Sequence, residues 1–284
     1  MRYIEAKTII QSNHNFNLYR GCTHGCIYCD ARSDCYQVGD FENVAVKKDA
    51  LSILASELSK KRKKSILTTG AMSDPYVHIE KQLLLMKETL NLVYKYGFGI
   101  SVLTKSTLIL RDLEMYKKIN EAHKAIVQLT ITTADDALAK IIEPHVALPS
   151  ERFDALKQFS DAKITTGIWM TPILPFINDT IDNIKRIVEN ASASGVSFIV
   201  SFGMGTTIRA GSREYFYEQL DKSFPTLKNK YIHTFKDKYI CDSPNAKTLT
   251  KVFESLCEHF GILYKQKDIN ALIQQKTIQQ QTLF

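Results

Sequence analysis

Three cysteines, Cys22, Cys26 and Cys29, fall within eight residues in the run Arg20-Gly21-Cys22-Thr23-His24-Gly25-Cys26-Ile27-Tyr28-Cys29, a C-x3-C-x2-C spacing. Three thiolates on one short loop can hold three irons of a four-iron cluster. Clusters that only carry electrons normally fill all four positions with cysteine, so this spacing leaves one iron open to bind a small molecule and act on it. Two other readings compete. A zinc knot needs a fourth ligand, which His24 inside the loop or Cys35 beyond it would have to supply. A disulfide pair fits poorly with six cysteines in 284 residues and with a start that shows no apolar signal segment behind a basic end. Both features suit a reducing cytosol.

Elements able to position such a loop follow from the hydrophobic pattern. Short apolar runs rich in β-branched residues alternate with longer segments of helical period, the mark of a parallel α/β architecture. Strands are expected at residues 16–19, 65–69, 99–104, 125–132, 163–170 and 197–202, and helices at 48–63, 80–96, 110–122, 149–160 and 180–195. Six strand–helix units predict a partial TIM-type (β/α)6 barrel over residues 1–210, with a cysteine loop at 20–35 and a C-terminal cap at 211–284. Chemistry in such barrels gathers at the C-terminal ends of the strands, and the cysteine loop directly follows the first expected strand. Within the cap, turns are expected at 223–225 and 242–245, an amphipathic helix at 246–260 and a Gln-rich tail at 274–281.

Composition excludes little else. Hydrophobic residues make up 44% of the chain and charged ones 24%, as in an ordinary globular protein. No apolar run reaches the roughly 18 residues of a membrane span, and a cytoplasmic protein without membrane contact is expected. The net charge of +7 is partly concentrated in Lys60-Lys61-Arg62-Lys63-Lys64, which suits a helix C-terminus. Between Asp221 and Lys251 seven lysines stand against three aspartates, interleaved with Tyr231, His233, Phe235 and Tyr239. That mixture can contact phosphates and stack on bases; an edge strand with its usual lysines is the simpler reading.

The strand ends supply further candidates. Ser73 and Asp74 follow the second strand and can accept from an ammonium or hydroxyl, or cap the next helix. Lys105 follows the third strand and can neutralise a carboxylate at the barrel mouth. Arg152, just inside a helix, can grip a carboxylate with its planar fork.

At this point the residues carry a resemblance. The cysteine spacing, with Tyr28 before the third cysteine, resembles the signature of the radical S-adenosylmethionine enzymes. The order of Ser73-Asp74, Thr104-Lys105, Glu143-Pro144 followed by Arg152, and Thr171-Pro172-Ile173 is similar to spore photoproduct lyase, from about residue 16 to 205. The run from Arg20 to Arg32 resembles DNA-repair photolyase-like relatives of that lyase even more closely. The resemblance implies a [4Fe-4S] cluster on Cys22, Cys26 and Cys29. It implies S-adenosylmethionine at the open iron, its reductive cleavage to a 5′-deoxyadenosyl radical, and hydrogen abstraction from a substrate. It further implies that Ser73, Asp74 and Lys105 touch the methionyl end of that cofactor, that Tyr28 packs near its adenine, that Thr130 or Thr132 lies near its ribose, and that Arg152 is another contact. A reductase such as flavodoxin or ferredoxin is the implied electron source.

The departures bear on the substrate. Ala71 stands where the lyase has its hydrogen-relay cysteine, and Asp30 where it has a tyrosine. A displaced donor could be Cys35 beside Tyr36, or Cys241; Cys257 reads as core, as buried free cysteines usually do. Nucleic acid is one candidate substrate, and a peptide or small metabolite is equally compatible. The rival reading is a non-catalytic iron–sulfur or zinc protein, such as a redox sensor, which predicts a fourth ligand close to the metal.

Overall fold

Five strands that read as near-continuous apolar runs assemble into one parallel sheet, as strands covered on both faces must. The structure is a computed structural model that describes residues 2–70 and 72–274; Ala71 and most of the Gln-rich tail lie outside the described residues. The chain begins with β1 (Arg2–Ile4), β2 (Tyr19–Arg20) and β3 (Ala45–Lys47), which form a small sheet in the order β1-β3-β2. After α1 (Ala50–Lys60) the main sheet runs in the order β4 (Ile66–Thr69), β5 (Gly99–Thr104), β6 (Ala125–Thr130), β7 (Thr165–Trp169) and β8 (Phe198–Val200). Its crossovers are α2 (Glu80–Leu83) with α3 (Leu85–Lys95), α4 (Leu113–Ala122), α5 (Asp136–Ile142) with α6 (Pro149–Asp161), and α7 (Ile181–Ala193). Every residue of β5 and β6 is buried. This is the expected α/β partial barrel.

The sixth expected strand is a bridge instead. Phe16 N donates to Thr68 O at 2.8 Å and Thr68 N to His14 O at 3.0 Å, which extends the sheet beyond β4 for only two hydrogen bonds. His14 takes a left-handed conformation in the preceding turn, and the chain then leaves to pair Tyr19 with Val46 of β3. The single helix expected at 80–96 is also interrupted, at Leu84, which has φ +56°. There the buried Glu80 carboxylate accepts from Met86 N at 3.0 Å, satisfying one of the free amides that open α3.

Beyond residue 204 come β9 (Gly205–Thr207), α8 (Ser212–Ser223), α9 (Leu227–Phe235), β10 (Ile240–Asp242), α10 (Ala246–Phe260) and α11 (Gln266–Gln274). The lysine-rich stretch is therefore mostly helical and not an edge strand. Its aromatics do not all face water, because Tyr231 and Phe235 are buried against Phe216 and Phe176. Both residues belong to a second apolar core that also takes in Cys26, Ile27 and Tyr28. Among the described residues no helix is long and apolar enough to cross a membrane.

Candidate active site

A cavity of about 500 Å³ opens at the C-terminal ends of the main-sheet strands. Cys22, Cys26 and Cys29 line one wall. Ser73 and Asp74 come from the turn after β4, Lys105 from the end of β5, Thr130 from β6 and Trp169 from β7, with Ile240 and Asp242 of β10 closing the far side. Parallel strands raise their following loops at one rim, which is why residues up to 220 positions apart meet here.

The cysteine loop is held by close backbone contacts. Cys22 N donates to Phe41 O at 2.9 Å, and a Cβ on Gly21 would lie 2.4 Å from that same oxygen, at φ +88°. Gly70 at φ +107° passes so close to β5 that its Cβ would meet Leu103 O at 1.9 Å. Larger residues fit neither place. Ser73 Oγ donates to Gly21 O at 2.6 Å. Asp74 Oδ1 accepts from Tyr76 N at 2.8 Å and Thr104 Oγ1 at 2.6 Å, while Oδ2 accepts from Lys105 N at 2.9 Å and faces His24 Nδ1 at 3.4 Å. The Ser73–Asp74 turn thus latches the loop to two strands.

A second latch lies deeper. Tyr28 donates to the Glu143 carboxylate, and Arg152 pairs with the same carboxylate from the other side. Arg152 also donates through Nη1 to Thr130 O at 2.6 Å and through Nε to Ala147 O at 2.8 Å. Burial works against the charge on Glu143, but Arg152 and Lys105 outweigh it and hold the carboxyl below its ordinary range. Lys105 lies over the Tyr28 ring, 5.7 Å from its centroid. Burial works against its charge too, yet Cys26, Glu143, Cys29 and Asp74 keep the ammonium protonated. Burial raises all three thiols, Cys22 to about 12 with Asp74 adding to the effect.

The cavity mouth is different in kind. Trp169 meets Phe202 edge to face, with centroids 5.4 Å apart, and Phe202 is 67% exposed. Trp169 Nε1 donates to Gln128 Oε1 at 2.6 Å, and Gln128 Nε2 to Ser101 Oγ at 2.8 Å, so the indole is tethered from within the sheet. Tyr36 lines the same cavity and donates to Asp30 Oδ2 at 3.1 Å, while Asp30 faces Arg209 Nε at 3.4 Å.

Of the residues singled out in the sequence, Cys22, Cys26, Cys29, Tyr28, Ser73, Asp74, Lys105, Thr130 and Tyr36 converge on this cavity. The others do not line it. The Arg152 guanidinium is fully buried on protein oxygens. Thr132 is buried with an unpaired hydroxyl. Cys35 is exposed, 3.5 Å from Arg209 Nη1. Cys241 alternates with Ile240 and Asp242 on β10 and so turns into the second core. Sequence reasoning overlooked Trp169, although its place at a strand's C-terminal end marked it, and it weighed His24 only as a zinc ligand. Among the described residues no three His, Cys, Asp or Glu side chains are placed to hold a single metal ion. The three thiols instead border an open space, which fits a bulkier group that each sulfur grips at a different corner.

Fold and site define an α/β barrel enzyme whose cysteine loop faces the strand ends. Residues 16–189 match the model of the radical SAM superfamily, and the chain belongs to that superfamily. Membership implies an iron–sulfur cluster, S-adenosylmethionine and a reductant. An uncharacterized protein of Methanocaldococcus jannaschii is 34% identical over 246 residues, spanning 86% of this chain and 89% of that one. An uncharacterized protein of Mycobacterium tuberculosis is 26% identical over 230 residues, spanning 78% and 67%. Spore photoproduct lyase complexed with dinucleoside spore photoproduct has a similar fold, with a TM-score of 0.66, 15% identity and coverage of 87% of this chain and 75% of that one.

Proposed function

We propose that Cys22, Cys26 and Cys29 hold a [4Fe-4S] cluster with one open iron, and that the cavity beside them takes S-adenosylmethionine. The observation that carries this reading is the cavity lining: it holds these three cysteines, while Cys35, Cys241 and Cys257 lie elsewhere. A redox sensor or zinc site would need a fourth ligand there. When bound, cluster and cofactor together supply reductive carbon–sulfur cleavage and a 5′-deoxyadenosyl radical that abstracts hydrogen.

The chain's own residues then divide the work. Lys105 offers its ammonium to the cofactor carboxylate, since among the described residues it makes no ion pair. Tyr28, fixed by Glu143 and Arg152, gives the site a rigid aromatic floor, and Thr130 offers a hydroxyl at the end of β6. Ser73 and Asp74 act by setting the loop, because their polar atoms are already engaged with Gly21, Thr104 and Lys105. Arg152 and Thr132 support the wall from behind it. Trp169 and Phe202 receive the substrate, and Tyr36 is the phenol best placed to return a hydrogen atom. Six free cysteines suit a reducing compartment such as the cytoplasm.

Nucleic acid is the substrate class to test first, supported by the aromatic mouth and by the fold shared with a lyase that binds a dinucleoside photoproduct. After anaerobic reconstitution, dithionite and S-adenosylmethionine should yield 5′-deoxyadenosine, and a substrate oligonucleotide should raise the yield. No 5′-deoxyadenosine, or an unchanged yield from Cys22→Ala, sinks the enzymatic reading. Indifference to every oligonucleotide sinks only the substrate class.

A further inference from the structure

A second recess, of about 760 Å³, lies beyond the cysteine loop from the reaction cavity. Thr23, His24, His78, Lys81, Ser106 and His145 help to line it. His24 lines both spaces, so a single side chain of the segment joining Cys22 to Cys26 reaches from one to the other. Imidazoles cover that segment from outside. His78 Nδ1 is 2.7 Å from Thr23 Oγ1, and its ring meets that of His24 edge to face with centroids 5.5 Å apart. His145 N donates to His24 O at 3.2 Å. Its ring sits 2.9 Å from where a Cβ on Gly25 would be, so glycine lets the histidine pack onto the loop backbone. His78, Lys81 and His145 are all exposed.

We propose that this recess, with His78, His145 and Lys81 at its surface, is the docking face for an acidic one-electron carrier protein. The proposal rests on the cluster assignment above. Cofactor and substrate occupy the reaction cavity during turnover, so an electron has to arrive from another side. Electron transfer weakens steeply with distance through protein, and here the covering over two of the three cysteines is one short loop with imidazoles against it. Only one electron moves: the carrier is oxidised by one electron, the cysteine-held cluster is reduced by one, and no proton or group is transferred. The chain's net charge of +7 draws an acidic partner, and Lys81 provides a local cation. Glu151, also in the lining, has its carboxylate engaged with Leu148 N at 2.6 Å. Charges at the rim of such an interface govern association rate and salt dependence.

The test is the double variant Lys81→Glu/His145→Glu, which touches neither cavity wall nor loop side chain. With reduced flavodoxin as donor, the rate of 5′-deoxyadenosine formation should fall by about tenfold or more and lose its salt dependence. Flavodoxin binding measured by calorimetry should weaken in parallel. With dithionite, which needs no docking face, the variant should match the parent. An unchanged flavodoxin-supported rate and affinity would overturn the docking face, as would an equal loss with both donors. A parent chain inactive even with dithionite would instead overturn the underlying cluster assignment.

Discussion

The inner wall of the reaction cavity and its mouth are built on opposite principles. At the wall, buried charges and hydroxyls are spent on the chain itself: Asp74 ties the loop to β5, and Glu143 joins Tyr28 to Arg152. At the mouth, Phe202 and Ile240 are 67% and 57% exposed and are held by little beyond the Trp169 contact. A wall that must present three sulfurs in one geometry needs an over-determined frame, whereas a mouth that selects substrate can change without disturbing that frame. The molecule thus separates cofactor chemistry, which is rigid, from substrate choice, which is adjustable.

The contrast should break most visibly at Arg152. Arg152→Met leaves the Glu143 charge buried and alone, which typically costs about 3–5 kcal/mol, and chemical denaturation should show a loss of that order. A loss below about 1 kcal/mol would mean that the pair is not what frames the wall. Glu143 also sets an acid limit. Its pKa is depressed in the folded chain, so its contribution to stability is present above the unfolded value of about 4.3 and is lost as pH falls through the folded value. Glu143→Gln should therefore flatten the acid side of the stability profile.

A smaller effect is expected at Lys105, which faces the cavity without framing it. Removing a charge-assisted hydrogen bond is worth about 1.5–3 kcal/mol, so Lys105→Met should weaken S-adenosylmethionine binding by about 10- to 100-fold. Iron content should hold. Loss of iron along with affinity would move Lys105 from the cofactor to the frame. The smallest change belongs to the mouth: Phe202→Ala should alter stability by no more than about 0.5 kcal/mol and leave uncoupled S-adenosylmethionine cleavage intact. A marked drop in that cleavage would erase the division between wall and mouth.

Much of this frame was legible before any coordinates. Cysteine spacing, the strand-end positions of Lys105 and Thr130, and the β5 span can be read locally, because period and punctuation encode them. What stayed hidden depends on partners distant in sequence. Arg152 reads as a free fork until Glu143, Thr130 and Ala147 are seen to consume its donors. Asp74 reads as a ligand until Thr104 and Lys105 claim its oxygens. Cys241 sits on a three-residue strand whose pairing with β9 alone decides which way it faces. The break at Leu84 follows from Glu80, a buried carboxylate that Tyr19 and Arg111 also contact, and no helical periodicity encodes such a network.

Electron paramagnetic resonance of the reduced, reconstituted chain tests the open-iron claim most directly. The account predicts a cluster signal that changes shape when S-adenosylmethionine is added and that is absent in Cys26→Ala. A signal that ignores S-adenosylmethionine, or that survives in Cys26→Ala, would contradict it.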